Sequence, residues 1–345
     1  VLVKSGAALE TAHKLDALIF DKTGTLTHGR PALTDLLPAP GGPLAPDELL
    51  ALAAGAEAQS EHPLGRAVVA AAEEKKLALA RIEQFEAAPG RGLRARAMLE
   101  GRGFALLLGN RAFLEEEGVA GLETEFARTA PERLAEAGKT ALYLALDGRL
   151  AGLLGVADTL RPESAQVVAG LRGLGIAVYM LTGDNARTAR AVAEQAGIRE
   201  DRGEVLAEVR PEDKAAKVRE LQARGLVVGM VGDGINDAPA LAAADLGMAM
   251  GTGIDVAIES GDVVLVGGRL PGALTALRLS RATVRNIKQN LFWAFAYNVL
   301  LIPLAAGVLH IWGGPTLNPM IAGAAMAASS VSVVGNALRL RWFKG

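Results

Sequence analysis

Asp21 stands at the end of the apolar run KLDALIF (14–20) and opens the heptad DKTGTLT, which supplies a cation at Lys22, hydroxyls at Thr23, Thr25 and Thr27, and a glycine at position 24. A carboxylate at a strand end, flanked in this way, can attack a phosphoryl group and become an acyl phosphate. An aspartate that merely caps a turn is the alternative; it suits a lone Asp far better than the whole heptad. A second stretch, MLTGDN (180–185), again follows an apolar run and offers the Thr182 hydroxyl and the Gly183 backbone N–H to phosphoryl oxygens. Thr-Gly-Asp is also an ordinary helix cap, so alone it carries little weight. The third stretch, MVGDGINDAPA (230–240), gathers Asp233, Asn236 and Asp237. Such oxygen donors suit a hard cation such as Mg²⁺, although in isolation a capped turn explains them equally well. Lys214, in RPEDKAAKV, adds a positive charge. Nucleophile, metal ligands and cationic donors together are what phosphoryl transfer requires, since it depends on positioning and charge neutralisation.

These residues need elements that bring them together. The run before Asp21 predicts a short buried strand. Over 151–268 strands and helices alternate: GIAVYML then NARTARAVAEQAG, LVVGMV then NDAPALAAA, and finally LGMAM and DVVLV. That rhythm predicts right-handed βαβ units and a parallel sheet, whose loops at the carboxyl ends of the strands converge on one crevice. Between 33 and 148 the character changes. Amphipathic helical stretches at 46–57, 64–76 and 122–137 lie beside antiparallel hairpins, one of them LRARAML-EGRG-FALLLG. If the Asp21 strand joins the parallel sheet, 33–148 is an insertion into it.

The 345 residues, half of them hydrophobic, suffice for two ordinary domains and a small membrane part. A net charge of −2 without a long basic block argues against nucleic acid as a partner. The absence of cysteine excludes disulfides, zinc-thiolate sites and a thiol nucleophile within these residues. The chain begins VLVKSGAALE, which reads as an internal start. Two apolar runs, Leu291 to Trp312 and Leu317 to Leu338, each match the roughly twenty residues of a membrane span. Arg278, Arg281, Arg285 and Lys288 precede the first and Arg339, Arg341 and Lys344 follow the second, while the connecting GGPTLNP is uncharged. Both ends are therefore expected on the cytoplasmic side, with Trp293, Trp312 and Trp342 near the interfaces. A buried soluble hairpin is the weaker alternative.

In order and spacing, DKTGTLT and GDGINDAPAL resemble the signatures of P-type ATPases, cation pumps, and the resemblance covers nearly the whole chain. It implies an α/β haloacid dehalogenase-like (Rossmann-type) phosphorylation domain at 12–32 and 149–270 with an inserted α+β nucleotide-binding domain at 33–148. Around these it implies stalks at 1–11 and 271–290, transmembrane helices at 291–312 and 317–338, and a tail at 339–345. Residue by residue, it implies that Asp21 is phosphorylated and that Asp21, the Thr23 carbonyl and Asp233 bind Mg²⁺. Thr182 and Lys214 would contact the phosphoryl group, with Lys22 and Gly183 in the same catalytic set, and Asn236 and Asp237 would complete its surroundings. The stretch EAQSEHPLGRA (57–67) resembles the nucleotide-domain signature of heavy-metal-transporting members. A lone histidine is more often structural, and a bare Gly-x-Gly is mostly turn chemistry. With PGRGLRA and LLLGNR in the same order, the resemblance implies an ATP pocket of Glu57, His62, Gly90, Gly92, Gly109 and Asn110. His13, His28 and His310 are assigned nothing.

Such a pump also needs an actuator domain and earlier membrane helices with a cysteine-containing metal site, which these residues lack. The chain is thus expected to bind ATP, and at most to become phosphorylated, without completing a transport cycle. The ion is read from the apolar runs. Tyr297 and Asn298 in the first, with Met326, Ser329 and Ser330 in the second, resemble the copper-exporting branch. A thioether suits Cu⁺, and a monovalent ion needs no buried carboxylate; the zinc and cadmium branch carries an aspartate and a lysine there. Small residues such as Ser329 serve helix packing equally well. The expectation is an ATP- and Mg²⁺-dependent exporter of Cu⁺, or Ag⁺, in the cell membrane. Lipid, the amino-terminal helices, the actuator domain and a copper chaperone would be its partners. The rival readings are a haloacid dehalogenase-type phosphatase and a non-catalytic nucleotide sensor. A phosphatase of this superfamily usually has an aspartate two residues after the nucleophile, where this chain has Thr23.

Overall fold

The computed structural model describes residues 1–42, 44–60, 62–233, 237–251, 261–306 and 319–343. Asn236, residues 307–318 of the expected hairpin and the side chain of Met326 lie outside the described residues. In chain order the strands are β1 (Leu2–Val3), β2 (Ala17–Asp21), β3 (Thr27–Pro38), β4 (Arg81–Ala88), β5 (Gly92–Leu99), β6 (Arg102–Gly109), β7 (Thr140–Leu146), β8 (Arg149–Leu160), β9 (Ala177–Leu181), β10 (Val205–Leu206), β11 (Val228–Gly232), β12 (Leu246–Gly251) and β13 (Val263–Val266). The chain divides into two compact units, 1–18 with 215–345, and 19–214.

In the first unit the strand order is β1-β13-β12-β11, with the start of β2 next. β11, β12 and β13 are parallel, and β1 closes the edge antiparallel to β13. The runs VGMVG, LGMAMG and VVLV are almost wholly buried. Such continuous apolar strands are the mark of a parallel sheet covered on both faces. The predicted strand at 14–20 starts later than expected, because residues Gly6–Lys14 form a helix. Ser5 starts that helix by accepting the Ala8 N–H at 3.1 Å, a side-chain cap that outweighs the apolar pattern around Leu15.

The same unit carries a helix of 35 residues, Pro271–Ala305, and a helix of 20, Pro319–Leu338. The long helix is anchored by its buried Ala273, Ala276, Leu277 and Ser280, whose hydroxyl donates to the Leu9 carbonyl. Farther along, Leu291, Phe292, Trp293, Phe295, Val299, Leu300 and Ile302 are all more than half exposed. Among the described residues no helix is long and apolar enough to cross a membrane. The described part of the first expected span, Leu291 to Ala305, is about 22 Å of helix against a hydrocarbon core of about 30 Å.

In the second unit β2, β9 and β10 lie side by side, with β9 and β10 parallel. A six-stranded antiparallel sheet, β3-β8-β7-β6-β5-β4, forms the rest. The predicted hairpin is β5–β6, closed at Leu99↔Arg102. Helices Pro46–Glu57 and Pro63–Glu74 contribute Leu49, Leu50, Leu52, Val68 and Ala72 to one core against Leu93, Leu106, Leu144 and Leu154. A second core gathers Phe113, Leu114, Leu122, Ala130, Tyr143 and Leu153. β3 and β8, twelve residues each, pair from Thr27↔Leu160 to Pro38↔Gly152 and carry the chain into and out of this sheet.

Candidate active site

Asp21 is the last residue of β2 and is 4 % exposed. The loop that follows turns sharply, with Thr23 extended (φ −78°, ψ 123°) and Gly24 left-handed (φ 74°, ψ −6°). A side chain at Gly24 would strain that turn, so the glycine is conformational as well as small. Lys214, at the start of helix Lys214–Ala223, places its Nζ 2.6 Å from Asp21 Oδ1, and both side chains are nearly buried. Lys22 points to the loop after β9, with its Nζ 2.7 Å from Asp184 Oδ2. In that loop the Thr182 hydroxyl accepts the Asp184 N–H at 3.1 Å and is 2 % exposed, which leaves its proton to donate. Residues 206–209 hold the loop from the far side: Thr182 N–H donates to Leu206 O at 2.9 Å and Val209 N–H to Thr182 O at 3.0 Å. Asp21, Lys22, Thr182 and Lys214 are thus fixed by ion pairs and backbone bonds in one unit.

Three residues not singled out in the sequence hold the nucleophile's loop. Asp158, near the end of β8, accepts from the Thr27 hydroxyl at 2.5 Å and from the Gly29 N–H at 2.9 Å. Arg161 donates to the carbonyls of Thr27 (3.0 Å) and Gly24 (3.1 Å), and the Ser164 hydroxyl to that of Leu26 (2.7 Å). The signal was the charged DTLRPES segment on the return strand, whose meaning depends on β8 pairing with β3.

In the other unit, Asp233 follows β11 and Asp237, 1 % exposed, precedes helix Ala238–Ala243. A Cβ at Gly232 would lie 2.5 Å from Asp237 Oδ2, so only glycine lets this carboxylate lie across the strand end. Among the described residues no three His, Asp or Glu side chains cluster in a metal-holding arrangement.

The predicted nucleotide residues fall into two groups. His62 caps helix Pro63–Glu74, its Nδ1 accepting the Leu64 N–H at 3.2 Å, which puts the imidazole proton on Nε2. Glu57 ends the preceding helix, and burial pushes its carboxyl above the usual carboxylate range, against the pull of the Ser60 hydroxyl. Its Oε2 is buried without a hydrogen-bond partner, pressed against Gly65, where any Cβ would strike it. The second group is Gly90, Gly92, Gly109 and Asn110. Gly92 pairs with Gly109 across β5–β6, and Asn110 caps the next helix by accepting the Phe113 N–H at 2.9 Å. A Cβ at Gly109 would sit 2.8 Å from Phe113 Cδ1 and 2.9 Å from Gly92 Cα. Gly109→Ala is therefore expected to destabilise this unit by about 1–3 kcal/mol, read as a lowered unfolding midpoint. An unchanged midpoint would show that the two strands can part without cost. Gly90 differs, being left-handed (φ +72°) with open space around it. A cleft of about 820 Å³ elsewhere in the unit, bounded by Pro40, Leu49, Phe104, Thr124, Asp147 and Leu150, includes none of these residues.

Of the residues expected along the ion path, Asn298 donates its amide to the Ala294 carbonyl of its own helix at 3.0 Å, an i→i−4 bond. Tyr297 stacks obliquely beside Trp293 with ring centroids 6.3 Å apart, and Ser330 is exposed.

The haloacid dehalogenase-like hydrolase family matches residues 15–245. The chain is 51 % identical over 344 residues to a probable copper-transporting ATPase, PacS, of Synechococcus elongatus, covering 100 % of this chain and 44 % of that protein. It is 49 % identical to a copper-exporting P-type ATPase of Bacillus subtilis, covering 100 % and 40 %. The chain thus spans less than half the length of these relatives. A crystal structure of a zinc-transporting PIB-type ATPase in its E2.Pi state superposes with a TM-score of 0.81 at 36 % identity, covering 98 % of this chain and 52 % of that one. With the strand-end aspartate, its lysine and the threonine loop on the scaffold that these likenesses share, the chain belongs to the haloacid dehalogenase-like hydrolase family and, within it, to the P-type ATPases.

Proposed function

We propose that this chain is the catalytic part, with a pair of helices, of an ATP-driven Cu⁺ exporter that works through an aspartyl phosphate at Asp21. The observation that carries the reading is the buried Asp21–Lys214 ion pair at 2.6 Å, at the end of β2. An Asp21 oxygen attacks the γ-phosphorus of ATP, the bond to the bridging oxygen breaks, and ADP leaves with that electron pair. Lys214 then follows the charge from carboxylate to phosphoryl oxygen, while the Thr182 hydroxyl donates to a second oxygen. Thr23 in place of a second aspartate leaves no carboxyl there to activate water, which favours a persistent adduct over rapid hydrolysis. By resemblance, Asp21, the Thr23 carbonyl and Asp233 are assigned to Mg²⁺, a hard cation that such oxygens suit and that when bound would offset charge on the phosphate; Asn236 and Asp237 are assigned to its surroundings. Lys22, held by Asp184, and Gly183 complete the catalytic set.

ATP is assigned to Glu57, His62, Gly90, Gly92, Gly109 and Asn110. For Gly92 and Gly109 the packing of β5 on β6 against Phe113 is a further reason to be glycine, and in this reading their missing side chains let the nucleotide lie against backbone. The carboxyl of Glu57, favoured in its protonated form by burial, can donate a hydrogen bond to a purine nitrogen. Residues 291–312 and 317–338 are assigned to a membrane hairpin in the cell membrane, with both ends cytoplasmic. Tyr297, Asn298, Met326 and Ser330 are assigned to the path of Cu⁺ or Ag⁺. Lipid, the rest of the pump and a copper chaperone are the implied partners. Copper is favoured over zinc because the curated relatives near 50 % identity are named for copper, whereas the likeness to the zinc transporter is 36 %.

Incubation with γ-labelled ATP separates the readings. An acid-stable, hydroxylamine-labile adduct supports the pump, free phosphate without an adduct supports a phosphatase, and neither product supports a nucleotide sensor.

A further inference from the structure

Four amide side chains meet where the long helix Pro271–Ala305 crosses the last helix, Pro319–Leu338. Asn286 Nδ2 donates to the Asn336 backbone carbonyl at 2.7 Å, and Asn336 Nδ2 donates to Asn290 Oδ1 at 2.8 Å and lies 3.4 Å from Gln289 Oε1. Asn290 Nδ2 closes the ring on Asn286 Oδ1 at 3.2 Å, and Arg339 adds a bond of 3.3 Å to Asn336 Oδ1. Asn286 is 8 % exposed. A buried amide costs free energy unless it is bonded, so this one specifies its partner. The partner is informative: the carbonyl of residue 336 belongs to the last turn of its helix, where carbonyls lack an intrahelical N–H. Asn286 therefore caps the end of a different helix. Asn336 is the one amide in the last helix, PMIAGAAMAASSVSVVGNAL, so its bonds carry a directional preference that apolar contacts lack.

The long helix is also held at its other end, through Ala273, Ala276, Leu277 and the Ser280–Leu9 bond, to the unit that carries β11–β13. Between that anchor and the amides the described helix is continuous, with no proline before Pro303. We propose that Asn286, Gln289, Asn290 and Asn336 form an amide clasp that makes the last helix follow the anchored end of the long helix. The four are positioning residues, and the coupling they provide rests on the pump reading above. If the clasp is broken, chemistry at Asp21 still runs, but the last helix no longer follows the anchored end of the long helix.

The test uses the whole pump that contains this chain, reconstituted in vesicles, and compares ATP turnover with and without Cu⁺. Asn286→Leu removes the capping donor and is expected to lower the fold-stimulation by Cu⁺ about fivefold or more while metal-free turnover stays the same. Asn336→Ala, which keeps its backbone carbonyl for Asn286, should give a smaller loss in the same direction. A merely structural role would lower both rates together and leave their ratio intact, and that result overturns the proposal. A second measurement does not need pump activity. Asn290→Cys with Asn336→Cys places the only two cysteines in these 345 residues. A short bifunctional methanethiosulfonate should then cross-link residues 290 and 336, shown by joined proteolytic fragments. Absence of the cross-link contradicts the clasp even if the wild-type pump ignores metal, a failure that would count against the functional reading alone.

Discussion

Asp21→Asn is expected to abolish the acid-stable, hydroxylamine-labile adduct from γ-labelled ATP, to below the detection limit. The amide is close in shape to the carboxylate, so the turn at Thr23–Gly24 and its bonds to Asp158 and Arg161 persist. It lacks the anionic oxygen that forms the new bond, and among the described residues of this unit the carboxylates of Asp184 and Asp158 are already engaged, the one by Lys22 and the other by Thr27 and Gly29. The same change removes the carboxylate charge opposite Lys214. Deleting one partner of a buried ion pair typically costs about 3–5 kcal/mol, so a lowered unfolding midpoint should accompany the loss. Retained ATP binding by the 19–214 unit would show that the fold survived. An adduct that persists in Asp21→Asn would move the nucleophile elsewhere.

Lys214→Ala is expected to slow adduct formation by about 10²–10³-fold, the scale seen when one preorganised charge-stabilising donor is lost. Lys214 contributes twice. Before reaction its Nζ, 2.6 Å from Asp21 Oδ1, fixes the orientation of the carboxylate. During transfer the negative charge moves by the length of one new bond, and the flexible lysine stem can follow it at no cost in desolvation, being buried already. Rapid quench after mixing with labelled ATP reads this rate directly. A change within a few-fold would reduce Lys214 to a structural partner of Asp21. Lys214→Arg is expected to recover only part of the rate, because the planar guanidinium does not fit the space of a compact ammonium.

The strand-end positions of Asp21, Thr182 and Asp237 were legible in the sequence because each lies within a few residues of its own apolar run. The parallel strands were legible for a related reason, since VGMVG and VVLV are apolar throughout. What holds the centre was not legible. Asp158, Arg161 and Ser164 act on residues 24–29 from more than a hundred positions away, through the β3–β8 pairing that no local pattern encodes. The start of β2 was misread because the Ser5 cap begins a helix that consumes Lys14. A packing reason for glycine at 92 and 109 was not legible either: their Cβ positions are crowded by each other and by Phe113, a pairing visible only once β5 and β6 are in register. The role of Asn336 was not legible at all, because its partners at 286, 289 and 290 emerge only from the crossing of two helices.

The claim of Cu⁺ export is tested most directly by metal-stimulated ATP hydrolysis in the whole pump carrying this chain, measured under reducing conditions with buffered free metal. Stimulation by Cu⁺ or Ag⁺, lost in Asp21→Asn and reduced in Tyr297→Phe, Asn298→Ala and Met326→Ala, is the predicted result. Stimulation by Zn²⁺ alone, with no response to Cu⁺ or Ag⁺, would contradict it.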